Sequence, residues 1–485
     1  MRSLLPVVLF ALLTNAPAKT WLVVSPDPIL TEALTPLIAH RALQGLDAVI
    51  PSTGVSEAIE ALDAPPDYLL IIGDNEIVPA KRGQQYRWRA VQPESFAADP
   101  LFSDLDGDGL PNFPVGRIPV KTPEQLAIVV EKIIAYEKRT LGIDDLNLPI
   151  WSGTPAYGKL LDESADWLLI SSINKYAPKW AQPWVISPNP NNTLNAWPAE
   201  QANLFHTQIL KGAAFTTMMG HGNTGLFFSM NTKEGDLFYT NETAAALDAS
   251  GKVTSPLVIF ACDCGNFAHK RTPSLAATML LGRGGPVATI AATTESHPLT
   301  NYYSSLGLMA ELTSDTPAAR GGDLWLSAQL SAQKMRKPII ERMLKNAEGA
   351  LEAEIDIPKL KRDQTQMYAY LGDPALKLSL PTPLEAEFTR SPDKTWTWTA
   401  KKPPGAEKLI VQHRPVKTPQ RSKPKDADRE QSLKLFADRN ALFVFQTIAE
   451  LPPGGDWTGT VTEPGDLRLI SLSKTKFQVA TKKLR

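Results

Sequence analysis

Short apolar runs alternate with longer segments of helical spacing from Lys19 to about Leu380. The apolar runs predict strands over Trp21–Val24, Tyr68–Asp74, Ala213–Met219, Pro256–Ala261 and Pro286–Ala292. Apolar residues at helical spacing predict helices over Pro123–Arg139, Asp162–Tyr176 and Pro198–Lys211. This alternation predicts an α/β fold in which helices flank a largely parallel sheet on both faces.

The pattern changes after Pro381, where short β-rich segments are separated by turn residues. Strands are predicted over Glu385–Phe388, Thr395–Ala400, Lys408–His413, Ala441–Ile448 and Asp466–Leu472, which together indicate a small β-sandwich. Within it, Thr418–Glu430 is rich in charge and proline and is predicted to be a mobile loop. The predicted domains are an N-terminal α/β subdomain over 19–145, a larger one over 146–380 and the sandwich over 381–485.

The first residues predict an export signal rather than a buried helix. Met1–Ser3 carries a positive charge, Leu4–Leu13 is apolar but too short to cross a bilayer, and Ala16–Ala18 offers small residues to a signal peptidase. Residues 1–18 are therefore predicted to be a signal peptide, and the protein to be secreted, either periplasmic or extracellular. No later run is long and apolar enough for a membrane-spanning helix, so no stable membrane insertion is expected.

Composition narrows the classes of function. The chain of 485 residues has a formal net charge of −1, which argues against nucleic acid as a partner. It has two cysteines, Cys262 and Cys264, and a disulfide across a single intervening residue is badly strained. A secreted protein that uses cysteines structurally usually has an even set spread along the chain, so these two thiols indicate chemistry instead.

Cys262 follows directly on the predicted strand Pro256–Ala261, and Gly265 then permits a sharp turn. Reacting groups collect at the carboxyl ends of strands in α/β sheets, so a cysteine in this position is placed to react. The motif alone is equally consistent with small residues that merely close a tight strand–helix junction. A metal site that includes Cys264 and His269 is not favoured, because metal sites usually space their cysteines as Cys-x-x-Cys.

His221 ends another predicted strand, within the sequence Gly220-His221-Gly222. An imidazole beside a thiol generates the thiolate that attacks a carbonyl, and the flanking glycines let a substrate backbone come close. The N–H of Gly222 is a candidate oxyanion donor alongside the N–H of Cys262. A histidine satisfied within a turn is the structural alternative.

Asp104, Asp106 and Asp108 alternate along a segment that resembles a calcium loop. Alternate carboxylates can surround a hard cation, and the intervening glycines allow the turns. Val115 stands where an EF-hand has its twelfth-position carboxylate, so the loop is not a complete EF-hand. A structural Ca²⁺ site and a solvated acidic turn are both consistent with the segment. No cofactor is required for the cysteine chemistry.

Several motifs, taken in order, resemble the gingipain family of cysteine peptidases within the wider caspase-like clan. The motifs that carry the resemblance are Tyr68–Asp74, Asp104–Pro111, Val115–Pro119, Ile133–Glu137, Met219–Gly222, Ala261–Gly265, Gly285–Ala291 and Tyr370–Pro374. Each is weak singly, but together they cover nearly the whole of residues 20–380. The resemblance implies a caspase-like α/β domain followed by an immunoglobulin-like module.

The resemblance also implies roles for the residues that match its motifs. It places the nucleophile at Cys262 rather than Cys264, and the general base and acid at His221. It places the oxyanion hole at the N–H groups of Gly222 and Cys262. Arginine-specific members hold their substrate side chain with an acidic residue, and a short match puts Asp162 at that position. Helix capping explains Asp162 at least as well.

Two departures from the family pattern concern the substrate pocket and the histidine. Arginine-specific members close the pocket with an aromatic residue, which Thr293–Pro298 lacks. Glu295 or His297 is therefore expected to shape the pocket instead. The acidic partner of the histidine has no clear counterpart near Trp151–Pro155, although a cysteine–histidine pair can work without a third member.

The sequence thus predicts a secreted cysteine endopeptidase that cleaves protein or peptide substrates through His221 and Cys262, with basic P1 residues as the expected preference. A transpeptidase that resolves the same acyl-enzyme with an amine, and so processes exported proteins, is one alternative. A peptidase-fold binding module with little activity is another, and the missing acidic partner is its main support.

Overall fold

A computed structural model describes residues 18–86, 93–155, 159–247, 252, 254–347 and 356–485. The predicted signal peptide lies outside these ranges except for Ala18, so export stays a prediction. The strands of the larger domain are β1 Lys19–Val24, β2 Leu46–Val49, β3 Tyr68–Ile72, β4 Arg82–Tyr86, β5 Pro93–Ala97, β6 Val115–Ile118, β7 Asn147–Ser152, β8 Gln182–Ile186, β9 Thr216–Met219, β10 Gly222–Asn223, β11 Leu226–Thr232, β12 Gly235–Thr240, β13 Leu257–Phe260, β14 Thr289–Ala292 and β15 Tyr368–Leu371.

The remaining strands form the C-terminal domain and are β16 Thr382–Pro383, β17 Ala386–Arg390, β18 Trp396–Ala400, β19 Lys408–Pro415, β20 Gln446–Leu451, β21 Trp457–Val461, β22 Gly465–Leu472 and β23 Phe477–Leu484. The helices are α1 Pro28–Ala33, α2 Thr35–Ala42, α3 Val55–Glu60, α4 Pro123–Lys138, α5 Lys159–Tyr176, α6 Gln201–Lys211, α7 Asn241–Ala245, α8 Leu275–Leu281, α9 Pro298–Thr313, α10 Gly321–Lys334, α11 Pro338–Ala347, α12 Ile357–Met367 and α13 Arg429–Ala441. Short 3-10 helices cover Asp99–Ser103, Ile143–Leu146 and Pro198–Glu200.

A sheet of ten strands, in the order β2-β1-β3-β6-β15-β14-β13-β9-β7-β8, organises the larger domain. Neighbouring strands are parallel throughout except β14 and β15, which pair antiparallel. The sheet therefore consists of two parallel blocks that run in opposite directions. The first block is β2-β1-β3-β6-β15, and the second block is β14-β13-β9-β7-β8. The predicted α/β fold with a largely parallel sheet is confirmed.

The two blocks correspond only in part to the predicted subdomains. β7 begins the second block at Asn147, close to the predicted boundary between residues 145 and 146. β15 comes from the end of the second predicted subdomain, yet it pairs with β6 and completes the first block. The two predicted subdomains thus share one hydrogen-bonded sheet.

Helix α4 shows how local sequence sets an element of this fold. Thr122 caps its N-terminus by accepting a hydrogen bond from the N–H of Gln125 (3.4 Å), and Pro123 occupies the first turn, as predicted. Its buried residues, Leu126, Val129, Val130 and Ile133, recur at helical spacing and pack into the core. Within the described residues, no helix combines the length and apolar composition needed to cross a membrane.

The C-terminal domain is a β-sandwich, as predicted. A sheet of five strands, β16-β23-β22-β19-β20, faces a sheet of three, β17-β18-β21, across an apolar core that includes Trp398, Trp457 and Leu469. The other face of the larger sheet presents Ile410 and Ile470, which pack in one cluster with Leu141 and Leu146 of the larger domain. Both faces of that sheet are therefore covered by apolar contacts.

The segment predicted as a mobile loop contacts the larger domain instead. The hydroxyl of Thr193 donates to the carbonyl of Gln420 (2.7 Å), and the Lys423 ammonium donates to the side-chain oxygen of Asn195 (3.1 Å). Helix α13 follows, and its Asn440 accepts a hydrogen bond from the N–H of Val185 in edge strand β8 (2.8 Å). These hydrogen bonds hold the predicted loop and helix α13 against the larger domain.

Candidate active site

Loops that follow four neighbouring strands meet at one edge of the second block. β7, β9, β13 and β14 lie side by side and run in the same direction, so their carboxyl ends reach the same edge. The strand register pairs Ser152 with Met219, and Met219 with Phe260. The residues that follow these strand ends are therefore neighbours in space, at the position where α/β sheets usually hold their ligands.

A sharp turn after β13 carries both cysteines. Asp263 adopts a left-handed conformation with a φ of 56°, which aspartate tolerates better than most residues. Its N–H donates to the carbonyl of Thr294 (3.0 Å), and the N–H of Gly265 donates to that of Ala292 (2.7 Å). A Cβ on Gly265 would lie 2.4 Å from the carbonyl oxygen of Ala291, so only glycine fits this close approach.

Cys262 is partly exposed, and its sulfur contacts the segment that follows β14. The N–H of Ser296 donates to the sulfur (3.3 Å), while the thiol lies 3.5 Å from the carbonyl of the same residue. Burial raises the pKa of the Cys262 thiol to about 11, although the N–H of Ser296 opposes the rise and the Glu295 carboxylate adds to it. A raised pKa favours the protonated thiol at neutral pH, so a nearby base would be needed to form the thiolate.

Cys264 occupies a different environment although it is two residues away. Its side chain is fully buried, and its thiol lies 3.5 Å from the carbonyl of Leu226. Burial raises the pKa of this thiol even further than that of Cys262. A Cβ placed on Gly222 would lie 2.5 Å from the Cys264 sulfur, so Cys264 packs directly against the glycine that follows His221.

His221 lies at the carboxyl end of β9, the strand that pairs with β13. Its Nε2 is 2.5 Å from the carbonyl oxygen of Pro155, in the loop after β7. A carbonyl only accepts hydrogen bonds, so Nε2 carries the hydrogen and Nδ1 of the neutral ring is left with a lone pair. The Pro155 carbonyl is thus one hydrogen-bond partner of the imidazole, in the segment where the sequence shows no clear acidic counterpart.

Close backbone packing brings that carbonyl to the histidine. The N–H of Gly153 donates to the carbonyl of Met219 (2.8 Å), and the N–H of Gly220 donates to that of Phe260 (3.0 Å). A Cβ on Gly153 would lie 2.2 Å from the carbonyl oxygen of Phe228, which explains why a glycine ends this strand.

His221 and Cys262 line one cavity of about 380 Å³, which lies between the sheet and helices α5 and α9. We call it the apolar cavity. Most of its wall consists of aliphatic and aromatic side chains, among them Ile150, Leu168, Leu169, Ile173, Tyr176, Tyr302, Leu306 and Met309. Glu295 lies on the same wall and is partly buried. A carboxylate beside an apolar surface suits a long side chain that ends in a cation.

The other predicted pocket residues are placed differently. Asp162 falls within α5, but its side chain lies outside the described residues. His297 is almost fully buried, and its Nδ1 accepts a hydrogen bond from the N–H of Leu299 (3.1 Å) as the N-cap of α9. Its ring therefore contributes to the helix end rather than to the apolar cavity.

The acidic loop is separate from this site. Carboxylate oxygens of Asp104, Asp106 and Asp108 lie within 4.8 Å of one another. Asp104 accepts hydrogen bonds from the N–H groups of Gly107 (2.9 Å) and Gly109 (3.1 Å), both of which have positive φ. Hard oxygen donors at this spacing fit a calcium ion. In the described part of the chain, no other group of three or more such side chains converges in this way.

Two contributors to the site were not predicted. Pro155 contacts His221 through its backbone carbonyl, and Ser296 contacts the Cys262 sulfur through its backbone N–H. The Ser296 hydroxyl accepts a hydrogen bond from Asn301 (2.9 Å), whose side-chain oxygen accepts from Tyr368 (2.7 Å). This network fixes the segment that contacts the Cys262 sulfur. Ser296 could have been proposed from the sequence because it follows Glu295, a predicted pocket residue. No feature of the sequence indicates that the Pro155 carbonyl contacts the histidine.

Comparisons with known proteins identify the family of this chain. The sequence model of peptidase family C25 matches residues 15–379. Lys-gingipain of Porphyromonas gingivalis is 27% identical over 81 residues, which cover 17% of this chain and 4% of that protein. The chain thus aligns with a small fraction of the length of this curated relative.

Solved structures show the same fold over nearly the whole chain. Gingipain R (RgpB), an Arg-specific cysteine proteinase, superposes with a TM-score of 0.55 at 14% identity, covering 97% of this chain and 98% of that one. The complex of the pro- and mature domains of Porphyromonas gingivalis RgpB gives a TM-score of 0.54 at 13% identity, covering 96% and 100%. The predicted family and fold are confirmed. This chain belongs to peptidase family C25, the gingipain family of cysteine peptidases.

Proposed function

We propose that this protein is a secreted cysteine endopeptidase in which Cys262 is the nucleophile and His221 is the general base and acid. One observation carries the proposal: the two side chains come from paired strands β9 and β13 and line the same cavity. Of the two cysteines, Cys262 is partly exposed there, whereas Cys264 is fully buried. Secretion rests on the sequence of the first 18 residues.

The contacts at the site suggest the course of the reaction. Nδ1 of His221 accepts the thiol proton while Nε2 donates to the Pro155 carbonyl, so the imidazolium that forms is stabilised. The thiolate attacks the scissile carbonyl, and the tetrahedral oxyanion is bound by the N–H groups of Gly222 and Cys262. His221 then protonates the leaving amine, and water hydrolyses the acyl-enzyme. Within the described residues, the N–H of Cys262 has no protein acceptor, which leaves it available to the oxyanion.

Glu295 gives the apolar cavity its proposed preference for a basic P1 side chain. The aliphatic part of arginine or lysine covers the apolar wall, and the cation pairs with the half-buried carboxylate. Asp162 stays a second candidate for the same role. The test compares peptides that differ only at P1, carrying arginine, lysine, leucine or phenylalanine.

For wild-type protein we expect the Arg and Lys peptides to be cleaved fastest. In Glu295→Gln, kcat/KM for basic P1 should fall by about 30-fold relative to leucine, since a partly desolvated charge pair is lost. Glu32→Gln, a change of an exposed glutamate on α1, is the matched control and should leave the ratio unchanged. A wild-type preference for leucine or phenylalanine would contradict the basic P1 assignment, and cleavage of no peptide would contradict the peptidase assignment.

Substitution of Gly222 should impair the proposed oxyanion hole. A Cβ at this position meets the Cys264 sulfur at 2.5 Å and the Cys262 carbonyl oxygen at 3.0 Å, so Gly222→Ala must shift its own N–H. We expect kcat/KM to fall on the order of a hundredfold, the cost of a misplacement near 1 Å. The double variant Gly222→Ala/Cys264→Ala should recover part of the loss because the nearest clash is gone.

The matched control for this experiment is Gly142→Ala, where an added Cβ has no neighbour within 4 Å. Its kcat/KM should equal that of the wild type. Equal losses in Gly222→Ala with and without Cys264 would show that contact with the sulfur does not determine the position of this strand end.

We also propose that the loop Asp104–Asp108 binds Ca²⁺ and that the ion has a structural role. Ca²⁺ would replace repulsion among three carboxylates with coordination, so 1 mM Ca²⁺ should raise Tm by a few degrees if its Kd is about 10 μM. The double variant Asp106→Asn/Asp108→Asn should lose this response in a thermal melt, while Asp315→Asn, an exposed control, should keep it. An unchanged Tm in calcium and in chelator would leave a solvated acidic turn as the correct description.

A further inference from the structure

A second cavity, of about 390 Å³, lies on the other side of the turns that hold the nucleophile. Its lining comes from the hairpin β4–β5, from the loop after Cys262 and from the segment after β14. The basic members of the lining are Arg82, Lys270 and Arg271, together with the imidazole of His269. We call this cavity the basic cleft.

The basic cleft and the apolar cavity share one dividing wall. Cys262 and Glu295 line the apolar cavity, whereas their chain neighbours Asp263 and Thr294 line the basic cleft. The N–H of Asp263 donates to the carbonyl of Thr294 (3.0 Å) and joins the two turns. A chain bound across Cys262 with one side chain in the apolar cavity can therefore reach the basic cleft by passing over this wall.

Among the described residues, the cations of the basic cleft form no salt bridge with a carboxylate. Lys270 and Arg271 are exposed, and no carboxylate in the described part of the chain lies within ion-pair distance of either one or of Arg82. Arg82 instead donates to the hydroxyl (3.0 Å) and the carbonyl (2.7 Å) of Ser95, which fixes its guanidinium on the hairpin. The described lining of the cleft contains three cationic side chains and one carboxylate, that of Asp263. The electrostatic potential in the cleft is therefore positive.

The walls of the cleft are held in place by hydrogen bonds to the active-site segment. The hydroxyl of Thr293 donates to the carbonyl of Ala97 at the end of β5 (2.6 Å). On the opposite wall, Nδ1 of His269 accepts from the N–H of Thr272 (3.0 Å), which orders the turn that carries Lys270 and Arg271. The cations are thus presented on ordered backbone beside the nucleophile, a condition for selective recognition of an anion.

We infer that the basic cleft is a substrate subsite for a carboxylate on the leaving-group side of the scissile bond. The inference rests on the proposed function, which puts the P1 side chain in the apolar cavity. The carboxylate has two possible sources, an aspartate or glutamate side chain or a free C-terminus close to the cleaved bond. Lys270, Arg271 and Arg82 recognise either one through charge-assisted hydrogen bonds.

The test measures binding separately from cleavage, with full-length Cys262→Ala protein and fluorescein-labelled peptides. Three peptides share one sequence before the scissile bond and differ after it: one has glutamate and an amidated end, one has glutamine and an amidated end, and one has glutamine with a free C-terminus. We expect at least one carboxylate peptide to bind about tenfold more tightly than the amidated glutamine peptide at low salt. The difference should shrink at 0.5 M NaCl, a concentration chosen because salt screens such contacts.

Charge reversal locates the effect. In Cys262→Ala/Lys270→Glu/Arg271→Glu the advantage of the carboxylate peptides should disappear. Cys262→Ala/Lys474→Glu/Lys476→Glu reverses two exposed lysines of the sandwich domain and should keep it. A gain for the glutamate peptide alone identifies a side-chain subsite, and a gain for the free C-terminus alone identifies a subsite for the end of a chain.

Equal binding of the three peptides, binding of none of them, or equal losses in both charge-reversed variants would overturn the inference. The proposed function is judged separately, by hydrolysis of the amidated glutamine peptide by wild-type protein. Carboxylate-dependent binding without any hydrolysis would retain the basic cleft as a carboxylate-binding site and reject the peptidase. Hydrolysis without a carboxylate effect would retain the peptidase and reject the carboxylate-binding site.

Discussion

Replacing Cys262 with alanine should lower kcat/KM by at least about 10⁴-fold, whereas replacing Cys264 should leave it within about threefold of the wild type. The two variants should differ because the two thiols lie in different places, although they are chemically the same group. Cys262 lines the cavity that also contains His221, but Cys264 is fully buried beneath Gly222. The measurement is steady-state hydrolysis of the peptide preferred by wild-type protein.

The Cys264→Ala variant is also the control for folding. Removing a buried sulfur leaves a small void, for which we expect a loss of about 1 kcal/mol in the free energy of unfolding. Thermal melts of both variants and mass mapping of a thiol-reactive peptide ketone complete the experiment. Full activity in a well-folded Cys262→Ala protein, or labelling of Cys264 in preference to Cys262, would refute the assignment.

Replacing His221 with glutamine should give the second large effect, and this effect should depend on pH. Without the imidazole, the reactive thiolate forms only by loss of the thiol proton to solvent. With a thiol pKa of about 11, the thiolate fraction at pH 7 is on the order of 10⁻⁴. We therefore expect kcat/KM of His221→Gln to fall by roughly 10³-fold or more at pH 7.

The sign of the pH dependence follows from the same pKa. Raising the pH increases the thiolate fraction about tenfold per unit until it approaches the pKa, so the residual activity of His221→Gln should rise steadily between pH 7 and 10. Stopped assays with brief exposure to each pH, and with Cys262→Ala as the blank, measure this slope. A residual activity that is independent of pH would show that another group takes the proton.

The positions of the proposed nucleophile and base were predictable because strong local signals coincide there. Apolar runs that end in Cys262 and His221 mark buried parallel strands, and their carboxyl ends necessarily approach one another in an α/β sheet. Gly222 and Gly265 were recognisable as sites of close backbone approach. Preference for Cys262 over Cys264 came from family resemblance, and the burial of Cys264 now gives it a physical basis.

Other features depend on contacts between distant parts of the chain, which local pattern does not contain. The opposite directions of the two blocks of the sheet follow from the antiparallel pairing of β14 with β15, and β15 is separated from β14 by four helices of the described chain. Helix α13 was missed because its buried residues are Ser432, Phe436 and Asn440, of which only one is apolar, so it has almost no hydrophobic stripe to recognise. His297 appeared to be a pocket residue because its type suits a site, yet in the fold it caps a helix.

The group that accepts a hydrogen bond from His221 is a backbone carbonyl, that of Pro155, and this limits what mutagenesis can reveal about it. Every residue at position 155 supplies a carbonyl, so no point substitution there deletes the group itself. An alanine substitution at position 155 would therefore keep the carbonyl, so it would not reveal this partner of the imidazole. The same acceptor has no proton to gain or lose near neutral pH, so acidification cannot switch off the orientation of the imidazole through this partner, as it would through a carboxylate.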